Sequence, residues 1–548
     1  SGWFMVNLFD LMALTTLGVL LLVRPPRRET PLPAVWRILL ALLVLSYLIS
    51  GWRGVFPLTE LDANFFYSYY SSFNSFRLLK GFLTALMFLP WLRMEATDAR
   101  RMKSLLISGF LTGLAGVIIL VLHERLVFSG LLDFAQRFRI HSSFSAMHIG
   151  GASLDAYLVM ILPFALMCFD RLKLPRLFAG AGFIVLGCYS LVVTFSRIVY
   201  FACGLQALVL SLGFLPVLRF RARGLFMGVL ILGIAAGAGW TALSGQYISQ
   251  RFSKIVDDFQ YRVQHWSSCL NAMDDDGKTW LFGQGLGSFP RDYQSHLRQG
   301  EQPARFVFSS TGEEGTVLLE AGNSMYLGQR VKISQQQEYT VVADVRSRDS
   351  ASVLTVPICE KNLLYSFSCA WHSSHIGDTQ GKWKRIQFSF SGERFHKRND
   401  FCKRPVRFSL YNGKRGTVVE VDEVKLIAAQ GQDILRNGDF SAGGAHWYFT
   451  SDEHLAWHAK NVWVHLFFEQ GWLGVVAFSS LCAAIFLVLA QRVWEGDLFS
   501  LMLMTGLAGG MIVGLVDSLL DDARIHFLFY FLFMIPMSSL GLRSHESA

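Results

Sequence analysis

The stretch WHAKNVWVHLFFEQGWLG, residues 457–474, joins a polar segment directly to a long apolar one. It carries two histidines, His458 and His465, together with Lys460 and Glu469. Ionisable groups are costly at the edge of a bilayer, so by default they mark a functional site. The stretch therefore predicts a membrane-spanning helix that begins beside a functional site.

The rest of the chain is also rich in apolar runs. It has 548 residues, 52% of them hydrophobic, and a mean hydropathy of +0.36. A spanning helix needs about 20 mostly apolar residues. Runs of that kind predict a polytopic α-helical membrane protein with about 11–12 transmembrane helices. The runs lie near residues 3–23, 36–51, 75–92, 104–122, 151–169, 177–195, 198–218, 225–243, 461–491, 499–520 and 525–542.

Lysines and arginines gather in alternate loops, which predicts the orientation of these helices. By that rule the basic loops face the cytoplasm, and the net charge of +9 follows from them rather than from nucleic-acid binding. The chain begins with Ser-Gly rather than Met, and whether a further helix precedes it stays open. The basic loops are marked by Arg24, Arg27, Arg28 and Arg37, by Arg93, Arg100, Arg101 and Lys103, by Arg171, Lys173 and Arg176, and by Arg219, Arg221 and Arg223.

The other side of the membrane is the periplasm if the host is a Gram-negative bacterium. We divide the chain into N-terminal helices at 1–243, a periplasmic helical segment at 244–302, a β domain at 303–447, and the histidine segment with the last helices at 448–548. Six short alternating segments predict a β-sandwich or jelly roll: TVLLEAG, EYTVVADVRS, ASVLTVPIC, WKRIQFSFSG, VRFSLYNG and TVVEVDEVKL. An oxidising compartment permits a disulfide between Cys359 and Cys369, although the pairing, with Cys402 also present, stays open.

Candidate polar groups gather on the predicted outer side. Arg197, in TFSRIVYF, is either a snorkelling side chain at a helix end or an anion-binding fork. Arg262, in YRVQHW, lies on a predicted helix. It is either a functional arginine of the site or part of a solvated helix face. Arg139 and His141 precede a turn that contains His148, which we interpret as structural.

Three further segments have simple alternatives. GQGLGSF at 283–289 predicts a glycine-rich turn at the site rim, with a backbone phosphate cradle as the alternative. The carboxylates at 274–276 are solvated loop charges or, less favoured, a metal site. Charged residues bracket the last outer turn and either pair with the arginines or face solvent. These are Asp517, Asp521, Asp522, Arg524 and His526.

The opening stretch resembles the histidine-bearing segment of the O-antigen ligase and Wzy polymerase superfamily. There an H-x-H-N pattern is followed by an apolar run and by E-x-G-x-x-G; here the chain has Asn461, Glu469, Gly471 and Gly474. TFSRIVYF, YRVQHWSSCLNAM and LFGQGLGSFPRDY resemble further segments of that family. Many relatives have a second histidine where this chain has Lys460.

The resemblance implies a GT-C-like fold and transfer of a glycan from undecaprenyl diphosphate to an acceptor hydroxyl, with no cofactor and no metal. It places the general base on His458, with His465 as the fallback. Direct displacement would invert the anomeric carbon, whereas a covalent intermediate would need a carboxylate nucleophile. The diphosphate-binding candidates are Arg197, Arg262 and Arg139, and the supporting residues are Lys460, Asn461, Glu469, Gly285 and Gly287.

With VDEVKL near its end and ILRNGDFSAGGAHWYF after it, the β domain resembles carbohydrate-binding jelly rolls. That resemblance favours a polymerase over a ligase that attaches glycan to lipid A–core or another acceptor. A transporter or flippase is a further alternative, as is a glycan receptor without catalysis. The implied location is the bacterial inner membrane, and the implied partners are a lipid-linked oligosaccharide, an acceptor glycan or glycolipid, the bilayer and other polysaccharide-assembly proteins. Candidate glycan-stacking residues, each with core packing as its alternative, are Trp371, Trp383, Tyr339 and Trp447.

Overall fold

The computed structural model describes most of the chain as a helical bundle and a separate β domain. It describes residues 8–26, 31–56, 71–134, 138–144, 152–170, 174–218, 253, 255–296, 304–311, 314–322, 324–362, 365–396, 403–451 and 455–541. The helices are α1 Leu8–Val23, α2 Ala34–Val55, α3 Asn74–Glu95, α4 Ala99–Phe128, α5 Ala152–Ile161, α6 Leu174–Val193, α7 Arg197–Leu218, α8 Ile255–Asn271, α9 Gly277–Phe282, α10 Phe289–His296, α11 Val462–Trp494, α12 Leu498–Gly514 and α13 Ala523–Ser538.

Within these ranges, seven helices are long and apolar enough to cross a bilayer, counting α5 with the 3₁₀ segment Leu162–Asp170 that continues it. Three shorter apolar helices, α1, α12 and α13, accompany them. Every apolar run predicted from the sequence coincides with one of these helices except 225–243, which lies outside the described residues. The chain therefore has the helices of a multi-pass membrane protein.

Small residues let the central helices approach closely. A Cβ added at Gly81 on α3 would lie 2.7 Å from the carbonyl oxygen of Ala523 on α13. One added at Gly506 on α12 would lie 2.4 Å from the carbonyl oxygen of Met160 on α5. Such contacts are typical of helix packing in membranes, where small side chains allow backbones to meet.

Basic residues of two predicted cytoplasmic loops lie at one end of the bundle. Arg24, after α1, contacts Glu95 at the end of α3 at 2.7 Å. Lys103, near the start of α4, contacts Asp497 between α11 and α12, also at 2.7 Å. Because α11 ends at this side, its first residues and the histidine segment lie at the opposite end of the bundle.

The β domain is a sandwich of two five-stranded antiparallel sheets. The first has the order β1-β2-β9-β4-β7, and the second has the order β10-β3-β8-β5-β6. The strands are β1 Phe306–Thr311, β2 Glu314–Glu320, β3 Met325–Val331, β4 Glu338–Arg346, β5 Val353–Asn362, β6 Tyr365–His375, β7 Lys384–Ser391, β8 Val406–Asn412, β9 Val418–Ala428 and β10 Tyr448–Ser451.

Alternate side chains of both sheets fill one core, in which Phe408 and Val421 are fully buried. Strands β1, β3, β6 and β10 were not predicted, and β10 moves the end of the domain from 447 to Ser451. Cys359 and Cys369 face each other on β5 and β6 and form a disulfide.

The tip of the β5–β6 hairpin rests on the bundle. Asn362 Nδ2 donates a hydrogen bond to Glu124 on α4 at 2.7 Å. Arg404 donates to the carbonyl oxygen of Phe128 at 3.0 Å, and Phe367 stacks on Phe128 with ring centroids 5.4 Å apart. The sandwich is thus fixed at the end of the bundle that carries the histidine segment.

Candidate functional site

The start of α11 is held by a side-chain cap. Asn461 Oδ1 accepts hydrogen bonds from the backbone N–H groups of Trp463 and Val464, at 2.8 and 3.2 Å. Its Nδ2 donates to the carbonyl oxygen of Leu515, in the turn between α12 and α13. Asn461 therefore ends the extended histidine segment, starts the helix and ties both to the last turn.

Two histidines share one carboxylate at this point. His458 Nδ1 lies 2.6 Å from Asp521 Oδ2, and His465 Nδ1 lies 3.4 Å from Asp521 Oδ1. His465 Nε2 in turn lies 2.9 Å from Glu469. All four side chains are buried. Both ring nitrogens of His465 thus face carboxylates, whereas the His458–Asp521 contact turns Nε2 of His458 away from Asp521.

Asp521 is held in its charged form by its surroundings. Burial acts to raise the pKa of Asp521, but the charges of His465 and His458 and the His458 hydrogen bond outweigh it, so the pKa lies below its ordinary value. A charged carboxylate against Nδ1 fixes the tautomer and orientation of an imidazole. This pairing is the arrangement that a histidine base requires.

Arg77 on α3 completes this group, and it was not predicted from the sequence. Its Nη1 donates to the carbonyl oxygen of Asp521 at 2.6 Å, and its Nε donates to Asn74 Oδ1 at 2.6 Å. Arg77 also lines a small cavity whose other polar walls include His465, Glu469 and Asp521. The fallback histidine, rather than His458, borders that cavity. A basic residue at the outer start of a predicted span was the available signal.

Asp517, a second carboxylate of the last turn, lies near several cations. Lys460 Nζ contacts Asp517 Oδ1 at 2.8 Å, and both side chains are buried. Arg262 on α8 donates to the carbonyl oxygen of Val516, and the charges of Arg262 and Arg139 also act on Asp517. Asp517 is therefore paired with a lysine, whereas the sequence suggested pairing with the arginines or exposure to solvent.

Arg139 and Arg197 each contact a carboxylate of a neighbouring element. Arg139 donates to the carbonyl oxygen of Thr194 at 2.9 Å and to Asp155 at 3.2 Å. Arg197 forms an ion pair with Asp258 on α8, one helical turn before Arg262. Arg262 therefore lies beside the last turn, which also carries Asp521, the partner of His458. Arg197 contacts the same helix, α8, one turn away from Arg262.

Helix α8 also contacts the histidine segment directly. His265 Nε2 donates to the carbonyl oxygen of His458 at 2.9 Å, and Trp266 Nε1 donates to that of Lys460 at 3.3 Å. Burial is the main reason that the pKa of His265 falls to about 4. This neutral imidazole therefore positions the backbone of the histidine segment.

The glycine-rich turn forms hydrogen bonds with α11 where that helix is interrupted. Gly471 has a left-handed backbone with φ +62°, which interrupts the helix. The N–H groups of Gln284 and Gly285 donate to the carbonyl oxygens of Phe468 and Glu469, at 2.8 and 3.1 Å. These amides are therefore occupied by protein carbonyls, which contradicts the phosphate-cradle alternative and agrees with a turn that shapes the site.

Other predicted groups have structural roles. Asp276 caps α9, and Asp275 Oδ1 accepts a hydrogen bond from Trp280 Nε1. His141 is buried beside Glu124 at 3.6 Å, and His148 lies outside the described residues. In the part of the chain that the structure describes, no group of three His, Cys, Asp or Glu side chains is arranged to hold a metal ion.

The four candidate stacking residues divide into two pairs. For Tyr339 and Trp447 the stacking role is wrong and the core-packing alternative holds, because both lie in the sandwich core with 2% and 3% of their surface exposed. Trp371 and Trp383 are exposed by 54% and 41%. Arg346 covers the Trp383 ring at 4.4 Å, so Trp371 is the more open of the two.

Comparisons with known proteins add little to this geometry. No protein-family model matches the sequence, and no curated protein matches it. A solved structure titled "CBM4 structure and function" is similar to part of the chain, at 14% identity and with a TM-score of 0.17. The match covers 22% of this chain and 76% of the chain in that structure. Similarity at this level identifies neither a fold nor a ligand, so a function has to follow from the side chains described above.

Proposed function

We propose that this protein is a membrane glycosyltransferase that transfers a glycan from a polyprenyl diphosphate, such as undecaprenyl diphosphate, to an acceptor hydroxyl. The observation that carries the proposal is the His458–Asp521 pair beside a group of cations at one end of an apolar bundle. A general base and an anion-binding group are the two parts that this reaction needs.

His458 is the proposed base. Its Nε2 takes the proton of the acceptor hydroxyl while Asp521, 2.6 Å from Nδ1, stabilises the imidazolium that forms. The acceptor oxygen attacks the anomeric carbon, and the bond from that carbon to the diphosphate oxygen breaks with its electron pair on the diphosphate. One displacement inverts the anomeric centre. His465 is less suited as the base, because both of its ring nitrogens face carboxylates.

The cations are proposed to stabilise the leaving diphosphate. Arg262 and Lys460 adjoin Asp517, and Arg139 and Arg197 lie on neighbouring elements. Guanidinium groups match the geometry of phosphate oxygens, and the stabilisation of developing charge commonly contributes more to catalysis than any other effect. Binding would exchange contacts with protein carboxylates and carbonyls for contacts with the diphosphate.

The setting of the reaction is also part of the proposal. The basic loops at the other end of the bundle would face the cytoplasm, so the site and the sandwich would face the periplasm of an inner membrane. The sandwich rests beside the site through Asn362 and Glu124, where a long product or acceptor could reach it. That placement favours a polymerase, with ligation to another acceptor as the alternative.

The test is transfer by the full chain in liposomes, with a synthetic polyprenyl-diphosphate oligosaccharide as donor. We expect chain growth with the same lipid-linked oligosaccharide as acceptor, and a single transfer would indicate a ligase. His458→Ala should abolish transfer, while His123→Ala, which removes an exposed histidine of α4, should not. Full activity of the His458 variant would overturn the assignment, and lipid movement without a new glycosidic bond would indicate a transporter.

A further inference from the structure

The second sheet of the sandwich presents one face away from the core. On β8, Phe408 and Leu410 are buried in the core, so the alternate positions point to the opposite side. The same alternation applies to β3, where Leu327 is a core residue, and to β5 and β6. We call this side the outer face of the second sheet. Its side chains include Tyr326, Arg330, Trp371, Arg407 and Tyr411.

Aromatic rings from three strands meet on the outer face. The Tyr326 ring lies 5.0 Å from that of Tyr411 and 6.3 Å from that of Trp371. Because β8 and β5 separate β3 from β6, the side chains of Tyr326 and Trp371 lean towards each other across the sheet. Thr355 and Ser373 add a pair of hydroxyls 2.9 Å apart. Apolar ring faces beside hydroxyls suit a sugar, which has an apolar C–H face and a rim of hydroxyls.

Two arginines of the outer face oppose each other directly. Arg330 on β3 and Arg407 on β8 are cross-strand partners, and like charges in that position destabilise a sheet. Within the described ranges neither guanidinium group has a hydrogen-bond or ion-pair partner, and Arg407 Nη1 is buried. Burial and then the charge of Arg330 lower the pKa of Arg407 to about 10. Lys361 Nζ lies 4.5 Å from the centre of the Tyr326 ring and adds a third cation.

The first sheet is different. Arg385 pairs with Asp344 at 2.7 Å, and Arg346 pairs with Glu420 at 2.5 Å. By contrast, the outer-face positions on β3, β8, β5 and β6 that alternate with core residues carry no Asp or Glu. Arg330 and Arg407 therefore lack the carboxylates that the same domain supplies to the arginines of its other sheet.

We propose that the outer face of the second sheet binds an anionic glycan, one ring of which stacks on the exposed Trp371 while its acidic groups pair with Arg330 and Arg407. An acid group between the two guanidinium groups would turn a repulsive pair into two charge-assisted hydrogen bonds. The inference rests on the proposed function only for the role of this glycan, which would be the growing or accepting chain; binding itself is independent of transfer.

The test is calorimetric titration of the full chain, in nanodiscs of neutral lipid, with acidic hexasaccharides of galacturonate, mannuronate and hyaluronan. Each is compared with its carboxyl-reduced form, which keeps the same rings without the charge. We expect at least one acidic chain to bind about tenfold more tightly than its reduced form, the change expected for a single charged hydrogen bond. Equal binding of the two forms, or no binding of any acidic chain, would overturn the proposal.

Variants locate the binding. Arg407→Gln and Arg330→Gln should each remove the preference for the acidic chain, whereas Arg385→Gln, on the first sheet, should keep it. Thermal unfolding checks that the variants fold, and Arg407→Lys, which keeps the charge, should retain part of the preference. An unchanged preference in both glutamine variants would refute the site.

Anionic vesicles separate the alternatives. If these arginines governed binding to phosphatidylglycerol vesicles while the hexasaccharides did not bind, the face would be a lipid-binding surface and the proposal would be wrong. Transfer activity is measured separately, so that loss of glycan binding with intact transfer refutes only this inference. Absent transfer with intact glycan binding refutes only the proposed function.

Discussion

Asp521→Asn tests the proposed catalytic pair most directly. The substitution keeps the size of the side chain and removes its charge, 2.6 Å from His458 Nδ1 and 3.4 Å from His465 Nδ1. Two unit charges about 4 Å apart interact by about 4 kcal/mol at an effective dielectric constant of about 20. If the imidazolium forms in the transition state, the rate should fall roughly a thousandfold, since about 1.4 kcal/mol corresponds to a tenfold change.

The assay is the initial rate of glycan transfer in liposomes, with the donor in excess. The matched control is Asp522→Asn, since Asp522 caps α13 through the N–H of Arg524 at 2.9 Å and asparagine serves as a cap equally well. It should transfer at close to the wild-type rate. Thermal unfolding of both variants separates a catalytic loss from a folding defect. If Asp521→Asn is folded and transfers within a few fold of wild type, the pair does not act as the base.

Three further predictions concern stability. Gly471→Ala should lower the free energy of unfolding by about 2–5 kcal/mol, since its φ is +62° and an added Cβ would lie 2.5 Å from the backbone of Leu281. Gly116→Ala, where an added Cβ meets nothing, should not destabilise the protein, and chemical denaturation in detergent compares the two variants. The His265 side chain is neutral in the folded protein, so its contribution to the free energy of unfolding is complete above the unfolded pKa of about 6.5. About 3 kcal/mol of that free energy is lost as the pH falls to about 4, and His265→Gln should flatten this pH dependence of unfolding. Cys359→Ser should cost about 2–3 kcal/mol, read as a lower unfolding midpoint that a reductant reproduces in the wild type.

The membrane helices could be predicted because their signal is local. About 20 consecutive apolar residues are long enough to span a bilayer, and the run at 104–122 lies within one such helix, α4. The break in α11 is less visible in the run at 461–491, because a helix interruption depends on the backbone at Gly471 and on its contact with the turn at 283–286. Strand β3, MYLGQRV, was missed because Gly328 and two polar residues interrupt its alternation.

The site was predictable in part. Its histidine, Asn461 and Lys460 lie in one polar segment beside a span, which is an unusual pattern and thus a strong signal. Arg77 was missed because its importance comes from Asp521, which lies 444 residues away in the chain. Tyr339 failed as a stacking candidate for a related reason: an aromatic residue on a strand has the same local pattern whether it faces solvent or the core.

The contacts around α11 explain why the histidine segment has one defined position. At 33 residues, α11 is longer than the roughly 20 residues that a bilayer needs, so its first turns lie at the end of the bundle. The break at Gly471 frees carbonyl groups, and the glycine-rich turn satisfies them. Asn461 ties the helix start to the last turn, and α8 holds the carbonyl oxygen of His458. His458 is thereby held from three sides before any substrate binds, which is the preorganisation that a base needs if it is to act without further rearrangement.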